Sequence, residues 1–213
     1  MLENNTRKRA KALFPTVLLT LLSIVQAFAL ELMWGHITEQ SYLHTLSLAS
    51  ALGWLQISAN LLGVLLIWLI YSDLVLRLSW APTTTDAIFP FLVGILEFAQ
   101  ISSLGPANAG IWFVLLSILF AAMAWISQNT MRRARQEPDN RDFFDGVSPA
   151  TVKDHLMSGI PAAVLLFIGT VLWLTGNQGW FAGLALLAMN GLLAFQMWLN
   201  HTYTQRSYAM GSS

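Results

Sequence analysis

Six apolar stretches dominate this chain, at about 13–34, 47–72, 87–104, 110–128, 159–175 and 180–199, and each reaches or approaches the roughly 20 residues that cross a bilayer. No Lys or Arg interrupts any of them. In hydrocarbon every backbone N–H and C=O must be satisfied within the protein, and a run of this length does so as a helix. The expected fold is therefore an all-α membrane protein, a six-transmembrane-helix bundle. Composition agrees: 55% of the 213 residues are hydrophobic and 10% charged, against about a quarter charged in soluble domains. Net charge is zero, so no electrostatic footprint for nucleic acid exists. The chain has no cysteine, which removes disulfides, thiolate metal ligands and thiol nucleophiles.

Basic residues set the orientation. All eleven Lys and Arg fall in the N-terminal segment, the connection after the second stretch, the 129–157 segment or the C-terminal tail. Six crossings put those four segments on one side, which the positive-inside rule makes cytoplasmic. The expected organisation is a cytoplasmic N-terminal segment at 1–12, transmembrane helices 1–4 within 13–128, a cytoplasmic loop at 129–157, helices 5–6 within 158–199 and a cytoplasmic tail at 200–213. Ser148-Pro149 is read as the cap and first turn of a short helix running to about Met157. The basic start followed by Ala27-Phe28-Ala29 also resembles a signal peptide, but the stretch is expected to stay as the first span. Asp73 and Arg77 are spaced to pair on one helix face. Asp86 is expected to cap the third helix. Trp34, Trp54, Trp112 and Trp180 are assigned to the outer interface, and Trp68, Trp80, Trp125 and Trp198 to the inner one. The expected setting is an integral multi-pass protein of the plasma (inner) membrane, with the lipid bilayer as its first partner.

An internal repeat is suggested by spacing. Gly53, Asn60 and Trp68 recur as Gly110, Ser117 and Trp125, and as Gly183, Asn190 and Trp198. The odd stretches open with Phe14-Pro15, Phe89-Pro90 and Ile160-Pro161, where proline suits a first helical turn. The reading is three tandem helical hairpins. The competing reading is that any membrane hairpin places Pro and Trp in this way.

The chemistry concentrates on a few polar side chains. Glu97 sits near the middle of the third stretch, where an ionisable group is costly and becomes a functional-site hypothesis by default. Asn60 and Asn190 lie midway along their stretches. Gln56 is one turn from Asn60, Gln100 one turn from Glu97, and Gln26 is in the outer half of the first stretch. These six are the candidate transport or binding residues. Amides can donate to a carboxylate or accept from the acid. Two readings of Glu97 stay open: a group on a path for protons or cations, or an interhelical tie worth about 0.6–2 kcal/mol. Small residues at Gly179/Gly183 and Ala59/Gly63 offer close-packing faces.

His36, His44, His155 and His201 fall at stretch ends or in loops and lack the spacing of metal or haem ligands. No phosphate loop, dinucleotide fingerprint, nucleophile elbow or zinc-protease motif is present. No metal, cofactor or catalytic residue is therefore expected. The leading functional expectation is a small channel or transporter for an ion, proton or small solute, with Glu97 in the path. The alternative is a non-catalytic scaffold or complex subunit whose 129–157 loop docks a partner. An intramembrane enzyme comes third. A chain of this size could enclose a wide path by forming a homo-oligomer.

Overall fold

The computed structural model describes residues 2–145, 148–149, 151–176 and 179–210. Its elements are α1 (Leu2–Glu39), α2 (Leu48–Arg77), α3 (Thr84–Ser102), α4 (Ala109–Ala134), the short α5 (Arg141–Phe144), α6 (Val152–Thr175) and α7 (Trp180–Met210), joined by single 3-10 turns and short loops. Among the described residues five stretches are long and apolar enough to cross a membrane: Asn5–Glu39, Leu48–Arg77, Thr84–Ser102, Pro106–Ala134 and Trp180–Thr202. The fifth of the six expected stretches is a shorter apolar segment, Gly159–Thr175, inside the 24-residue α6. With ~1.5 Å rise per residue, α6 as a whole measures roughly 36 Å.

Helix ends differ from the expected ones for identifiable reasons. The basic N-terminal segment is not separate; it continues α1. Pro15, Pro90 and Pro161 therefore lie inside helices, where each removes one backbone hydrogen bond. They mark where the apolar part begins, not where the helix begins. The helix expected after Ser148-Pro149 is not separate: residues 152–157 are helical, but as the first turns of α6, which starts at Val152 and runs unbroken into its apolar part, while Ser148 and Pro149 are non-helical. Asp86 does cap α3, accepting from the Thr83 backbone N–H at 2.7 Å and from its hydroxyl at 2.9 Å. Arg77 pairs with Asp73 at 2.6 Å.

The helices form an open ring in the order α6–α4–α3–α1–α2–α7, in which packing neighbours are mostly not sequence neighbours. The most extensive pairings are α4 with α6, α2 with α7 and α1 with α3, and the hairpin pairs α3–α4 and α1–α2 follow. Residue matches give the directions. Val25 meets Gly94, and Leu18 and Leu22 cluster with Phe89 and Val93, so α1 and α3 run parallel. Leu52 meets Gly183 and the Leu55 carbonyl accepts from Asn190, so α2 and α7 run parallel. Gly110 faces Trp173, and Ser117 donates to the Ala162 carbonyl at 2.7 Å, so α4 and α6 run antiparallel. Three hairpins related by a cyclic threefold would make the same contact at every junction; here two junctions are parallel and one antiparallel.

Trp34, Trp54, Trp68, Trp125, Trp180 and Trp198 are exposed on the outside of the ring. Trp112 and Trp80 differ from these in being buried. Trp112 is fully buried against Phe113, and Trp80 is buried edge-on to Phe14. Trp112 lies in the first turn of α4 and Trp80 in the connection between α2 and α3, and packed side chains cover both.

Candidate functional site

A cavity of about 570 Å³ occupies the inside of the ring, within the ~300–1,000 Å³ of ligand sites in general. α2, α3, α4 and α7 supply most of its lining, and α6 adds Pro161. Its polar floor is Glu97 and Gln100, one turn apart on α3, with Asn60 of α2. From there it runs toward the end of the molecule that carries the basic residues, reaching Ser127 on α4 and Asn200 on α7. Toward the opposite end it is stopped by packed side chains: Leu52, Trp112, Phe113 and Leu186 are all at most 1% exposed. The void thus ends at Glu97 on the side of these packed residues and extends from it toward the basic end.

Glu97 is 2% exposed. Gln26 lies beside its carboxyl group, but the Gln26 amide nitrogen is given to the Val64 carbonyl at 2.9 Å, and neither Glu97 oxygen has a hydrogen-bond partner of good geometry among the described residues. The Gln100 Nε2 is buried and unpartnered as well. An unpaired buried polar group costs about 1–3 kcal/mol.

The six candidates separate into two groups. Glu97, Gln100 and Asn60 line the cavity; the Asn60 amide nitrogen is tied to the Gln56 carbonyl of its own helix at 3.0 Å. Gln26, Gln56 and Asn190 do not line it. Gln26 ties α1 to α2. Gln56, fully buried, accepts from the Gly105 N–H at 3.0 Å and anchors the turn after α3. Asn190 donates to Leu55 on α2 and to Leu186 on its own helix. Ser127 and Asn200, which sequence reasoning missed, and Gln196, which it places in the inner part of the last stretch but not among the candidates, add polar groups toward the cavity mouth. Helical spacing on α7 was the available signal, since Gln196 and Asn200 are four apart and share one face.

A second polar cluster lies at the basic end. The Glu137 carboxylate, 6% exposed, accepts from Lys11 at 2.7 Å, from Arg7 at 2.8 Å and from the Ala81 N–H at 3.2 Å. Asn140 pairs with both backbone groups of Ser79 and also donates to the Ala134 carbonyl. Arg133 binds Asp86 through both of its terminal nitrogens. Burial alone pushes the Glu137 carboxyl up, and the Lys11, Arg7 and Ala81 bonds more than offset that, holding it below the usual carboxylate range. Every partner is supplied by this chain, so the cluster fastens α1, the α2–α3 connection and the segment after α4 to one another.

His36 and His44 have local roles. His36 meets the Tyr42 hydroxyl at 3.1 Å, and His44 the Ile37 carbonyl at 3.1 Å. Among the described residues no group of three or more His, Asp or Glu is placed to hold a metal ion. His155 lies where no side chain is described.

The ring and its buried carboxylate define a multi-pass helical membrane protein with Glu97 in its interior. Comparison with protein-family models, with curated proteins and with solved structures found no match to this chain.

Proposed function

We propose that this protein is a small transporter or channel for an ion, proton or small solute, with both termini and the 129–157 segment on the cytoplasmic side and α6 as the sixth crossing. The observation that carries the reading is the position of Glu97, with unpartnered oxygens, at the end of a cavity that extends toward the basic end. The plug of Leu52, Trp112, Phe113 and Leu186 closes the opposite side, which favours a carrier that opens to one side at a time over a continuous pore. Glu97, Gln100 and Asn60 are the binding residues in this reading.

Glu97→Gln tests it, because Gln keeps the shape but cannot ionise. Purified protein is reconstituted into vesicles, and proton and cation flux are read with pH-sensitive and cation-sensitive dyes alongside thermal unfolding. The expected result is a folded variant with flux, or its pH dependence, abolished. Unchanged flux and pH dependence would remove Glu97 from the path.

The second reading is a complex subunit that docks a partner through its cytoplasmic loop. Its support is the exposure of Arg141, Asp142, Phe143 and Asp145 on and beside α5. The buried half of the loop, at Glu137 and Asn140, is already used internally.

A further inference from the structure

The cavity joins two different chemistries. Its floor offers two unpartnered carboxylate oxygens and the unpartnered Gln100 amide nitrogen. Its walls are apolar, built from residues such as Leu66, Ile70, Leu119, Phe120 and Leu193. Glu97 is the one ionisable side chain in the lining. Gly63 also lines it, and a Cβ placed there would meet nothing within 4 Å. The ring is also incompletely sealed. α6 and α7 are consecutive, yet α6 packs on α4 and α7 on α2, and the two make no extensive contact with each other. Pro161 of α6 and Gln196 and Asn200 of α7 all border the cavity.

We propose that the cavity binds an amphiphile with an ammonium head and an apolar body, which enters from the bilayer between α6 and α7 and sets its head on Glu97 and Gln100. This names the substrate class of the transport reading above and rests on that reading for movement, though not for binding. An ammonium group supplies the donors that the two carboxyl oxygens lack and pairs with the charge that Glu97 carries when it ionises. The free Gln100 N–H calls for an acceptor, so a hydroxyl or carbonyl next to the amine completes the fit. A small inorganic cation would satisfy the floor and leave the apolar walls against water. A fatty acid would fill the walls and bring a second negative group to Glu97.

The test uses the full chain in lipid nanodiscs and a dodecylamine carrying a diazirine on its alkyl chain. After irradiation, labelled residues are mapped by mass spectrometry, with unlabelled dodecylamine, dodecanoate or potassium chloride as competitors. Label is expected on wall residues such as Leu66, Phe120 and Leu193, displaced by dodecylamine and not by dodecanoate or potassium. Glu97→Gln should weaken dodecylamine competition by about tenfold or more, the scale of one lost charged pair. Gly63→Leu fills the open space and leaves Glu97 and Gln100 in the chain, and should abolish wall labelling while thermal unfolding stays close to the parent. If Glu97→Gln does not fold, Gly63→Leu decides alone. Label confined to outward residues such as Phe167, or displaced equally well by dodecanoate, overturns the proposal. Amine-selective wall labelling without any flux would keep the site and end the transport reading; ion flux without amine-selective labelling would do the reverse.

Discussion

At the scale of single residues, Glu137 shows how a carboxylate in a charged loop becomes structural. Its folded value is held below the ordinary one, so the unfolded chain binds the proton more readily. The stabilisation is therefore fully present above the unfolded carboxylate value of about 4.3 and is lost as pH falls through the lower folded value. Glu137→Gln removes it at every pH and leaves Lys11 short of its closest partner. The expected cost is about 1–3 kcal/mol near neutral pH, and the gap in melting temperature between parent and variant should close in acid. A gap that stays constant from pH 7 down to pH 3 would contradict this. Glu97, Asn60 and Gln100 were legible in the sequence because a polar group inside an apolar run has few places to go. Glu137 and Asn140 were not. In a loop of alternating charges each one reads as solvated, and only the folded approach of Lys11 and Ser79 buries them. The burial of Trp112 was hidden in the same way, since a tryptophan at a span end fits an interface until a neighbour covers it.

At the scale of helices, the tightest approach is between α4 and α6. A Cβ on Gly110 would fall 2.5 Å from the Trp173 backbone nitrogen, and one on Gly169 would fall 2.8 Å from the Val114 nitrogen. Both obstacles are backbone, so neither can rotate aside, and overpacking of this kind costs typically about 1–3 kcal/mol. Gly169→Ala should lower thermal stability measurably. Gly63→Ala, with open space beside it, should be neutral or slightly stabilising through helix propensity. Equal effects of the two substitutions would show that the α4–α6 contact is not as close as described. Small-residue spacing in the sequence pointed elsewhere. A Cβ on Gly183 would make an ordinary 3.5 Å contact with Leu52, and Gly63 faces the cavity. Gly110 and Gly169 lack a small residue four positions on, so each works alone across from the other helix. The shared Gly–polar–Trp spacing fares similarly. Gly53 faces the Tyr42 and Leu43 side chains, Gly110 the Trp173 backbone and Gly183 the Leu52 side chain, three unlike environments for one spacing.

At the scale of the whole molecule, the apolar runs and the basic clusters were enough to foresee helices crossing a bilayer, because length and charge act before any packing does. They could not foresee the ring order, which depends on side chains meeting across helices far apart in sequence. The proposed topology makes a direct prediction. Single cysteines at Asn5→Cys and Asp139→Cys should react with an impermeant maleimide only from the cytoplasmic side, and Leu46→Cys only from the outside; the cysteine-free parent provides the blank. Reaction of Asp139→Cys from outside would reverse or break the assignment. The pairing of α2 with α7 also has a consequence for how the protein is made. The face of α2 that α7 covers is synthesised more than a hundred residues earlier. Until α7 emerges from the ribosome, the face of α2 around Leu52 and Leu55 lacks the helix that covers it. A nascent chain arrested before α7 would leave the compartment lined by α2, α3 and α4 without its α7 wall, so the interior is completed only once α7 has been made.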